Sequence, residues 1–226
     1  MKTKKTGQSN LFFFLVIGLI IAAAAGIVIL SNMQGKEASF DYSSQPYLGK
    51  ESAPVNIVEF GDYKCPVCKN FTLSVFPQIK KDLIDTGKAK LYFMNDPIIY
   101  KDSSRSALFG ETVFHELGNE EFWEFHDDLY KQQPDDPKYE QMDIYSADFL
   151  TGLLKENTGK NNVDKVMKAF DEEKYEKELE NDLSLVKELG VTGTPTFFVN
   201  GKQFKGKTYQ DLIDMVTKVA KEKKSE

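Results

Sequence analysis

The chain of 226 residues contains two cysteines, Cys65 and Cys68, within the segment GDYKCPVCKNF. Two cysteines placed at random in a chain of this length would take this spacing about once in a hundred. When two thiols lie three positions apart on a helix, one can attack a disulfide and the second can resolve the mixed disulfide that forms. The pair therefore predicts thiol–disulfide exchange. A chain with only two cysteines excludes both a multi-disulfide scaffold and a four-cysteine zinc site.

The two cysteines are predicted to differ, because Cys65 lies where a helix is expected to begin. Unpaired N–H groups and the positive end of the helix dipole stabilise an anion in the first turn, so the thiolate of Cys65 should form below the free-cysteine pKa of about 8.5. Pro66 suits the first helical position. Lys64 and Lys69 add positive charge nearby. We expect Cys65 to be the nucleophile and Cys68 to be the resolving cysteine.

Two interpretations of the cysteine pair without redox chemistry stay open. An inert disulfide across so short a loop would stabilise the fold weakly, because it closes little chain entropy. Half of a zinc site, completed by His115 and His126, would need both histidines beside the sulfurs. Because His126 falls on an apolar helical stripe, a packed core histidine is the better interpretation. The pattern favours redox chemistry over both.

The segments on either side of the cysteines predict the elements that position them. Short apolar runs at 55–60 (VNIVEF) and 88–94 are typical of buried strands. Between them, apolar residues recur every three or four positions, which predicts a helix that begins near Cys65, kinks at Pro77 and stops before Gly87. A strand, a helix and a strand of this size form a βαβ unit with a parallel sheet.

The pattern becomes helical between positions 97 and 190. Two apolar stripes repeat every three or four positions, and the second ends at Gly190 as a helix cap. The stripes are Phe122, Phe125, His126 and Leu129, then Tyr175, Leu179, Leu183 and Val186. Trp123, beside the first stripe, is expected in the core. This region is predicted to be a helical subdomain.

Strand signals return after the helical region. A strand at 196–199, a hairpin turn at Asn200-Gly201, a short strand at 203–204 and a final amphipathic helix are expected. The predicted fold class is therefore α/β, with one domain interrupted by a helical insertion.

Positions 11–30 are twenty uncharged, apolar residues, long enough as a helix to cross a hydrocarbon core of roughly 30 Å. The basic flank of Lys2, Lys4 and Lys5 should stay cytoplasmic, so the rest of the chain should face outward. A cleaved signal peptide and a cytosolic helix are the alternatives.

The sequence predicts six consecutive segments. A cytoplasmic flank at 1–10, a transmembrane anchor at 11–30 and a linker at 31–46 precede the α/β domain. The first part of that domain is expected at 47–96, the helical insertion at 97–190 and the second part of the domain at 191–226.

The charge distribution argues against a nucleic-acid partner. All 35 acidic residues follow position 36, with 25 of the 29 Lys and Arg, and phosphate binding needs an excess of cations. Acidic runs could supply calcium ligands, but no EF-hand spacing is present, and solvated helix faces are the better interpretation. The runs are Glu120, Glu121, Glu124, Asp127 and Asp128, then Glu172, Glu173, Glu176 and Glu178. We therefore predict no metal and no cofactor other than the redox-active disulfide.

Four segments occur in the order in which they occur in a known family: VNIVEF, FGDYKCPVCKNF, GNEEFWEFHDDLY and VTGTPTFFVNG. Over about 47–219 the chain resembles the thioredoxin-fold disulfide oxidoreductases, within them the DsbA-like group, and most closely its membrane-anchored Gram-positive type. The resemblance implies a thioredoxin fold with an inserted helical domain. This agrees with the interruption inferred from the residue pattern.

The resemblance also implies roles for three residues outside the cysteine pair. Thr194 and Pro195 match the family's cis-proline loop, which lies against the disulfide and offers backbone groups to an extended substrate strand. Glu59 matches a buried acid that exchanges protons with Cys68. The alternation along VNIVEF leaves open whether Glu59 is buried or lies at the exposed end of its strand.

One residue departs from the family pattern. Strongly oxidising members often carry a histidine where this chain has Val67, whose side chain cannot stabilise a thiolate by a hydrogen bond. The residues between the cysteines therefore do not determine the oxidising strength of the pair.

The resemblance implies an enzyme that introduces disulfide bonds into reduced or unfolded exported proteins. It further implies a small quinone-linked membrane thiol oxidase as the partner that re-oxidises the pair. Two alternatives are a disulfide reductase or isomerase, for example in cytochrome c maturation, and a non-redox chaperone or binding module on the same scaffold.

Overall fold

A computed structural model of the chain describes residues 37–222. Its centre is a sheet of five strands in the order β1-β3-β2-β4-β5. The strands are β1 (Tyr47–Leu48), β2 (Val55–Gly61), β3 (Ala89–Asn95), β4 (Thr196–Val199) and β5 (Lys202–Gln203). Strands β2 and β3 run parallel, while β1 with β3, β2 with β4, and β4 with β5 are antiparallel pairs. The predicted parallel βαβ unit is present.

The helical segments fall into three groups along the chain. The connection from β2 to β3 holds α1 and α2 with two π-helical turns, five helices lie between β3 and β4, and one follows β5. They are α1 (Pro66–Asn70), α2 (Phe76–Ile79), α3 (Lys101–Leu117), α4 (Asn119–Gln132), α5 (Ala147–Asn157), α6 (Lys160–Asp171), α7 (Glu176–Leu189) and α8 (Tyr209–Glu222). The helical insertion predicted at 97–190 is therefore observed between two strands of one sheet.

The connection that carries the cysteines is irregular where a kink was predicted. A π-helical turn at Phe71–Val75 precedes α2, and Pro77 lies in the first turn of α2. Because proline has no N–H, it is tolerated where a helix restarts. A second π-helical turn, Lys80–Ile84, follows α2. The widened turns take the place of a single sharp kink.

The two faces of the sheet are buried by different elements. Alternate residues of β2 point to opposite sides, so Val55 and Ile57 pack in the same core as both cysteines, while Val58 and Phe60 pack in a second core. The first core includes side chains of α8 and the insertion. The second is covered by the C-terminal end of α7 and the segment before β1.

The structure differs from the sequence prediction at the linker predicted for 31–46, because the chain contacts the sheet domain from Ala38 onward. The N–H of Ala38 donates to the carbonyl of Gly201 at 2.8 Å, and Phe40 is buried against Phe198. Gly201 has a φ of 82°, and a Cβ there would lie 2.3 Å from the Ala38 oxygen. The predicted Asn200-Gly201 turn therefore also holds the start of the domain.

The predicted stripe on α7 needs one correction. Leu179 is buried as expected, but Leu183 is 40% exposed. The polar Asp182 takes the buried place beside it and accepts hydrogen bonds from the Gln45 side chain and the Asn95 backbone. A hydrophobic periodicity could not identify Asp182, because a carboxylate is buried only where donors meet it. Gly190 ends α7 with a φ of 64°, as predicted.

Two predicted segments, the cytoplasmic flank at 1–10 and the transmembrane anchor at 11–30, lie outside the described residues. Between positions 37 and 222, the helices are all too short or too polar to cross a bilayer.

Candidate active site

Cys65 caps the N-terminus of α1. Its sulfur accepts a hydrogen bond from the N–H of Cys68 at 3.4 Å, and Pro66 follows in the first helical position, where its missing N–H has no partner to lose. Both cysteines are free thiols in the structure. Cys65 keeps 4% of its surface exposed and Cys68 keeps none, so Cys65 is the sulfur that another protein can reach.

The surroundings of the two thiols shift their acidities in opposite directions. A hydrogen bond from the Cys68 side chain is the main cause that lowers the pKa of Cys65 to about 6. Burial opposes it, and the Thr194 side chain and the N–H groups of Cys68 and Val67 lower the pKa further. Burial is the main cause that raises the pKa of Cys68 well above its usual value, and its hydrogen bond to Cys65 and the charge of Glu59 add to it.

Val67 therefore contributes to the thiolate through its backbone. Its side chain projects outward and is 58% exposed. The hydrogen bond that a histidine could offer at this position is supplied here by neighbouring groups instead.

The loop before β4 reaches the same sulfur. The Thr194-Pro195 peptide bond is cis, and the Cys65 thiol donates a hydrogen bond to the Thr194 carbonyl at 3.3 Å. The fold thus brings Thr194, 129 positions away in the chain, against the reactive sulfur. The sequence-based expectation of a cis-proline loop beside the thiols agrees with this geometry.

Glu59 is buried on the side of the sheet that faces the cysteines. It shares the inward face of β2 with Val55 and Ile57, keeps 2% of its surface exposed, and its Oε1 atom has no hydrogen-bond partner within the described structure. Burial first, and then the charge of Cys65, raises the pKa of Glu59 to about 8. The alternative of an exposed strand end is wrong, because the strand alternation turns this side chain inward.

Asp62, in the loop between β2 and Cys65, was missed by the sequence analysis. One carboxylate oxygen accepts the Lys64 N–H at 2.8 Å and the other accepts the N–H groups of Ile98 and Ile99, both at 2.9 Å. Asp62 thereby ties the loop that carries Cys65 to the chain that follows β3. An aspartate directly after the glycine that ends a strand is a local signal for such a turn, because its carboxylate can accept the backbone N–H two residues on, but its distant partners leave no sequence pattern.

The two lysines beside the cysteines do not supply the positive charge expected of them. Lys64 is buried and forms an ion pair with Asp102 at 3.1 Å. Lys69 donates to the Gln133 carbonyl at 2.6 Å and pairs with the exposed carboxylate of Asp135. Because the insertion binds both ammonium groups, neither is among the causes that lower the pKa of Cys65.

The two histidines are packed among other side chains and do not complete a metal site with the cysteines. His126 is packed among aromatic rings, its Nδ1 lies 3.2 Å from the Tyr63 hydroxyl, and burial lowers its pKa to about 3. His115 stacks on Tyr175, with Nε2 3.5 Å from Glu111. In the part of the chain from 37 to 222, no three His, Cys, Asp or Glu side chains are grouped as a metal site.

A family profile described as thioredoxin matches residues 42–218 of the chain. The chain belongs to the thioredoxin family. This thioredoxin-family protein is also similar to named bacterial proteins. It is 38% identical over 180 residues to disulfide bond formation protein D of Bacillus subtilis, covering 79% of this chain and 78% of that protein. It is 33% identical over 201 residues to the probable disulfide bond formation protein D of Bacillus cereus, covering 89% and 91%.

A solved structure agrees with these relatives. The crystal structure of oxidised BdbD from Bacillus subtilis matches with a TM-score of 0.74 and 35% identity, covering 82% of this chain and 97% of that one. The resemblance to DsbA-like proteins of the BdbD type is thereby confirmed, as is the thioredoxin fold with its helical insertion. The prediction of a protein thiol–disulfide oxidoreductase that introduces disulfide bonds is confirmed as well.

Proposed function

We propose that the protein introduces disulfide bonds into reduced exported proteins by dithiol–disulfide exchange at Cys65 and Cys68. The reduced proteins are called clients below. The observation that carries this proposal is the opposite shift of two pKa values within one helical turn, toward the thiolate at Cys65 and away from it at Cys68. A stabilised thiolate at Cys65 favours the reduced pair, which makes the disulfide between the two a good oxidant.

The exchange starts from the disulfide between the two cysteines. A client thiolate attacks the sulfur of Cys65, the bond to Cys68 breaks, and Cys68 leaves as a thiolate. The client's second thiolate then attacks the client sulfur of the mixed disulfide, and Cys65 leaves as a thiolate. Two electrons pass from the client to the protein, and the client gains one disulfide.

Glu59 is proposed to handle the proton at Cys68. With a pKa of about 8, its carboxyl group is mostly protonated at neutral pH. The thiolate of Cys68 is poorly stabilised, because burial raises the pKa of that thiol. A proton passing from Glu59 to the departing Cys68 sulfur therefore stabilises the leaving group, and the reverse transfer prepares Cys68 for re-oxidation.

Thr194 and Pro195 are proposed to align the client. Their loop contacts Cys65 through the Thr194 carbonyl, so an extended client segment bound along this loop would present its cysteine at the reactive sulfur.

We further propose a location for the domain and a partner that re-oxidises its disulfide. The apolar segment at 11–30 would anchor the chain with its basic N-terminus in the cytoplasm and the domain outside. Exported proteins would then meet the disulfide there, and a small quinone-linked membrane thiol oxidase, suggested by the family resemblance, would re-oxidise it. No cofactor beyond the disulfide is part of the proposal.

The redox equilibrium of the full-length protein with glutathione tests this direction of electron flow. Acid quenching followed by alkylation separates the reduced from the oxidised protein by mass. We expect the disulfide to be reduced at glutathione ratios that leave thioredoxin oxidised, since thioredoxin has a potential of about −270 mV. A potential close to that of thioredoxin would contradict the proposal and favour the reductase alternative.

A further inference from the structure

Lys64, the residue before Cys65, is a lysine buried in the protein interior. Its side chain keeps 2% of its surface exposed, and its ammonium group lies 3.1 and 3.2 Å from the two carboxylate oxygens of Asp102. The same group donates to the carbonyl of Tyr139 at 2.8 Å and to the carbonyl of Met142. Apolar residues of similar volume often stabilise a protein as well as a buried ion pair does. Neither charge is among the causes that shift the pKa of either thiol, so the pair needs another explanation.

Three consecutive residues lead into Cys65, and each is fixed by a side-chain contact. The carboxylate of Asp62 binds the chain that follows β3. The carbonyl of Tyr63 accepts the hydroxyl of Tyr145 at 3.3 Å, and Lys64 is held through its ammonium group. The second and third contacts both reach the helical insertion. The backbone that places Cys65 therefore depends on the insertion as well as on the sheet.

Asp102 connects the two contacts from the insertion. It lies in α3, and one of its carboxylate oxygens accepts the N–H groups of Ile144 and Tyr145 at 2.8 and 3.1 Å. The same oxygen is the one 3.2 Å from the Lys64 ammonium group. The ring centres of Tyr100 and Tyr145 lie 5.5 and 5.6 Å from that group. Because hydrogen bonds weaken steeply away from their preferred geometry, this set of partners restricts the lysine to one position.

The contacts of the Cys65 sulfur require such a fixed position. The sulfur lies 3.4 Å from the N–H nitrogen of Cys68 and 3.3 Å from the Thr194 carbonyl, so a displacement of about 1 Å would weaken both contacts. We propose that Lys64 is a positioning residue, whose ion pair with Asp102 holds the sulfur of Cys65 at the start of α1. This inference rests on the proposed function, and it gives the helical insertion a part in the chemistry.

The pH dependence of Cys65 alkylation in full-length Lys64→Met tests this role. We expect the midpoint to rise by about one pH unit, because the thiolate loses about one hydrogen bond. The equilibrium with glutathione at pH 7 should move about fivefold toward the protein disulfide, since a weaker thiolate makes a weaker oxidant. A wild-type midpoint in this variant would overturn the inference and leave the proposed function intact. A free-thiol midpoint in the wild type itself would overturn both.

A double variant separates positioning from stability. Lys64→Met alone leaves the Asp102 carboxylate buried without its cation, so it should lower the urea midpoint of unfolding. Lys64→Met with Asp102→Asn removes both charges and keeps an oxygen for the N–H groups of Ile144 and Tyr145, so most of the stability should return. The alkylation midpoint of Cys65 should nevertheless stay raised. A midpoint that returned to the wild-type value together with the stability would show that the pair is only structural.

Lys69→Met is the matched control for the loss of a positive charge. Lys69 also flanks the cysteines and binds the insertion through the Gln133 carbonyl at 2.6 Å. Its backbone lies within α1, where its N–H donates to the Cys65 carbonyl at 3.0 Å, so the helix holds it without the side chain. The midpoint should not change. An equal rise in both lysine variants would show that nearby charge, rather than position, acts on the thiolate.

Tyr145→Phe loosens the same turn while it keeps the packing of the ring. Loss of its hydrogen bond to the Tyr63 carbonyl should slow alkylation of Cys65 at pH 6 about twofold. Tyr139→Phe is the control, because Tyr139 contributes its backbone carbonyl, rather than its hydroxyl, to Lys64. Equal rates in the two tyrosine variants would contradict the claim that contacts from the insertion position the sulfur.

Discussion

The regions around the two sulfurs differ although only one helical turn separates them. Cys65 lies at a helix start among hydrogen-bond donors, touches the loop of Thr194 and keeps 4% of its surface exposed. Cys68 is fully buried in the core, and its nearest titratable influences are Cys65 and Glu59. The same side chain is therefore an anion in one place and a neutral thiol in the other. An exchange enzyme needs this difference, because one sulfur must react with the client while the other stays unreactive until the mixed disulfide is resolved.

Exchanging each cysteine for serine gives the largest expected contrast between the two regions. Cys65→Ser should lose client oxidation by at least about a thousandfold, because the sulfur that forms the mixed disulfide is gone. Cys68→Ser should still capture a client with an activated disulfide, but it should not release it. Mass spectrometry of the trapped adduct checks both. An adduct on Cys68 in the Cys65→Ser variant would reverse the assignment.

Glu59→Gln separates the proton chemistry around Cys68 from the thiolate of Cys65. The amide cannot exchange a proton, so the step in which Cys68 acts should slow by about a hundredfold. The pKa of Cys65 should stay near 6. Rapid-mixing kinetics of mixed-disulfide resolution measure the rate of the Cys68 step, and the pH dependence of alkylation measures the pKa of Cys65.

Asp96→Asn is the matched control for Glu59→Gln. Asp96 is also a buried carboxyl without a hydrogen-bond partner in the described structure, and burial first, then the charge of Asp62, raises its pKa to about 6. It is not among the groups that act on Cys68. A similar slowing in both variants would mean that loss of any buried carboxyl group, rather than proton transfer by Glu59, causes the effect.

Glu59 also makes stability depend on pH. Its folded pKa of about 8 lies above the unfolded value of about 4.5, so the folded state holds the proton longer. Its contribution to the free energy of unfolding is fully present below pH 4.5 and is lost as the pH rises toward 8. Relative to wild type, Glu59→Gln should therefore gain about 3 kcal/mol at pH 7 and less at pH 4.5, as measured by urea unfolding of the reduced protein.

Thr194→Val tests a smaller contribution to the surroundings of Cys65. The Thr194 side chain is among the groups that lower the pKa of Cys65, although its hydroxyl is buried without a hydrogen-bond partner in the described structure, whereas the hydroxyl of Thr196, at the start of β4, donates to the Gly193 carbonyl. Thr194→Val should slow alkylation at pH 6 about threefold, since a hydroxyl that can donate to the thiolate is removed. Thr196→Val, its control, should not. Equal rates in wild type and Thr194→Val would exclude the hydroxyl as a contributor.

Lys69→Met should have the smallest effect of the substitutions. Because the ammonium group is held by the Gln133 carbonyl and Asp135, its removal should leave the alkylation midpoint of Cys65 unchanged. A clear upward shift would instead support the sequence-based expectation that nearby lysines stabilise the thiolate, and the hydrogen bonds at the helix start would then explain less of the contrast.

Local patterns were sufficient to predict much of this architecture. The strand before the cysteines, the helix start at Cys65 and the hairpin at Asn200-Gly201 are each determined by residues close in sequence. The helical insertion could be predicted because its apolar stripes have a period of three to four residues. The cis peptide bond before Pro195 came only from family resemblance, since the residues of the loop predict no more than a turn.

Contacts between distant residues could not be predicted from the residue pattern. Lys64 was expected to act on the neighbouring thiols, but its ammonium group binds Asp102, 38 positions away, inside the insertion. The burial of Phe40 and the place of Asp182 on α7 depend in the same way on partners more than a hundred residues away. A sequence pattern shows which face of a helix is apolar, but it does not show which donor meets a given charge.

The pH dependence of Cys65 alkylation in the reduced full-length protein tests the central claim most directly. Mass spectrometry resolves the two cysteines, and Cys68 should react far more slowly throughout. The account predicts a midpoint near pH 6 for Cys65, with the rate falling as the pH drops below that value. A midpoint at or above the free-thiol value of about 8.5 would contradict it.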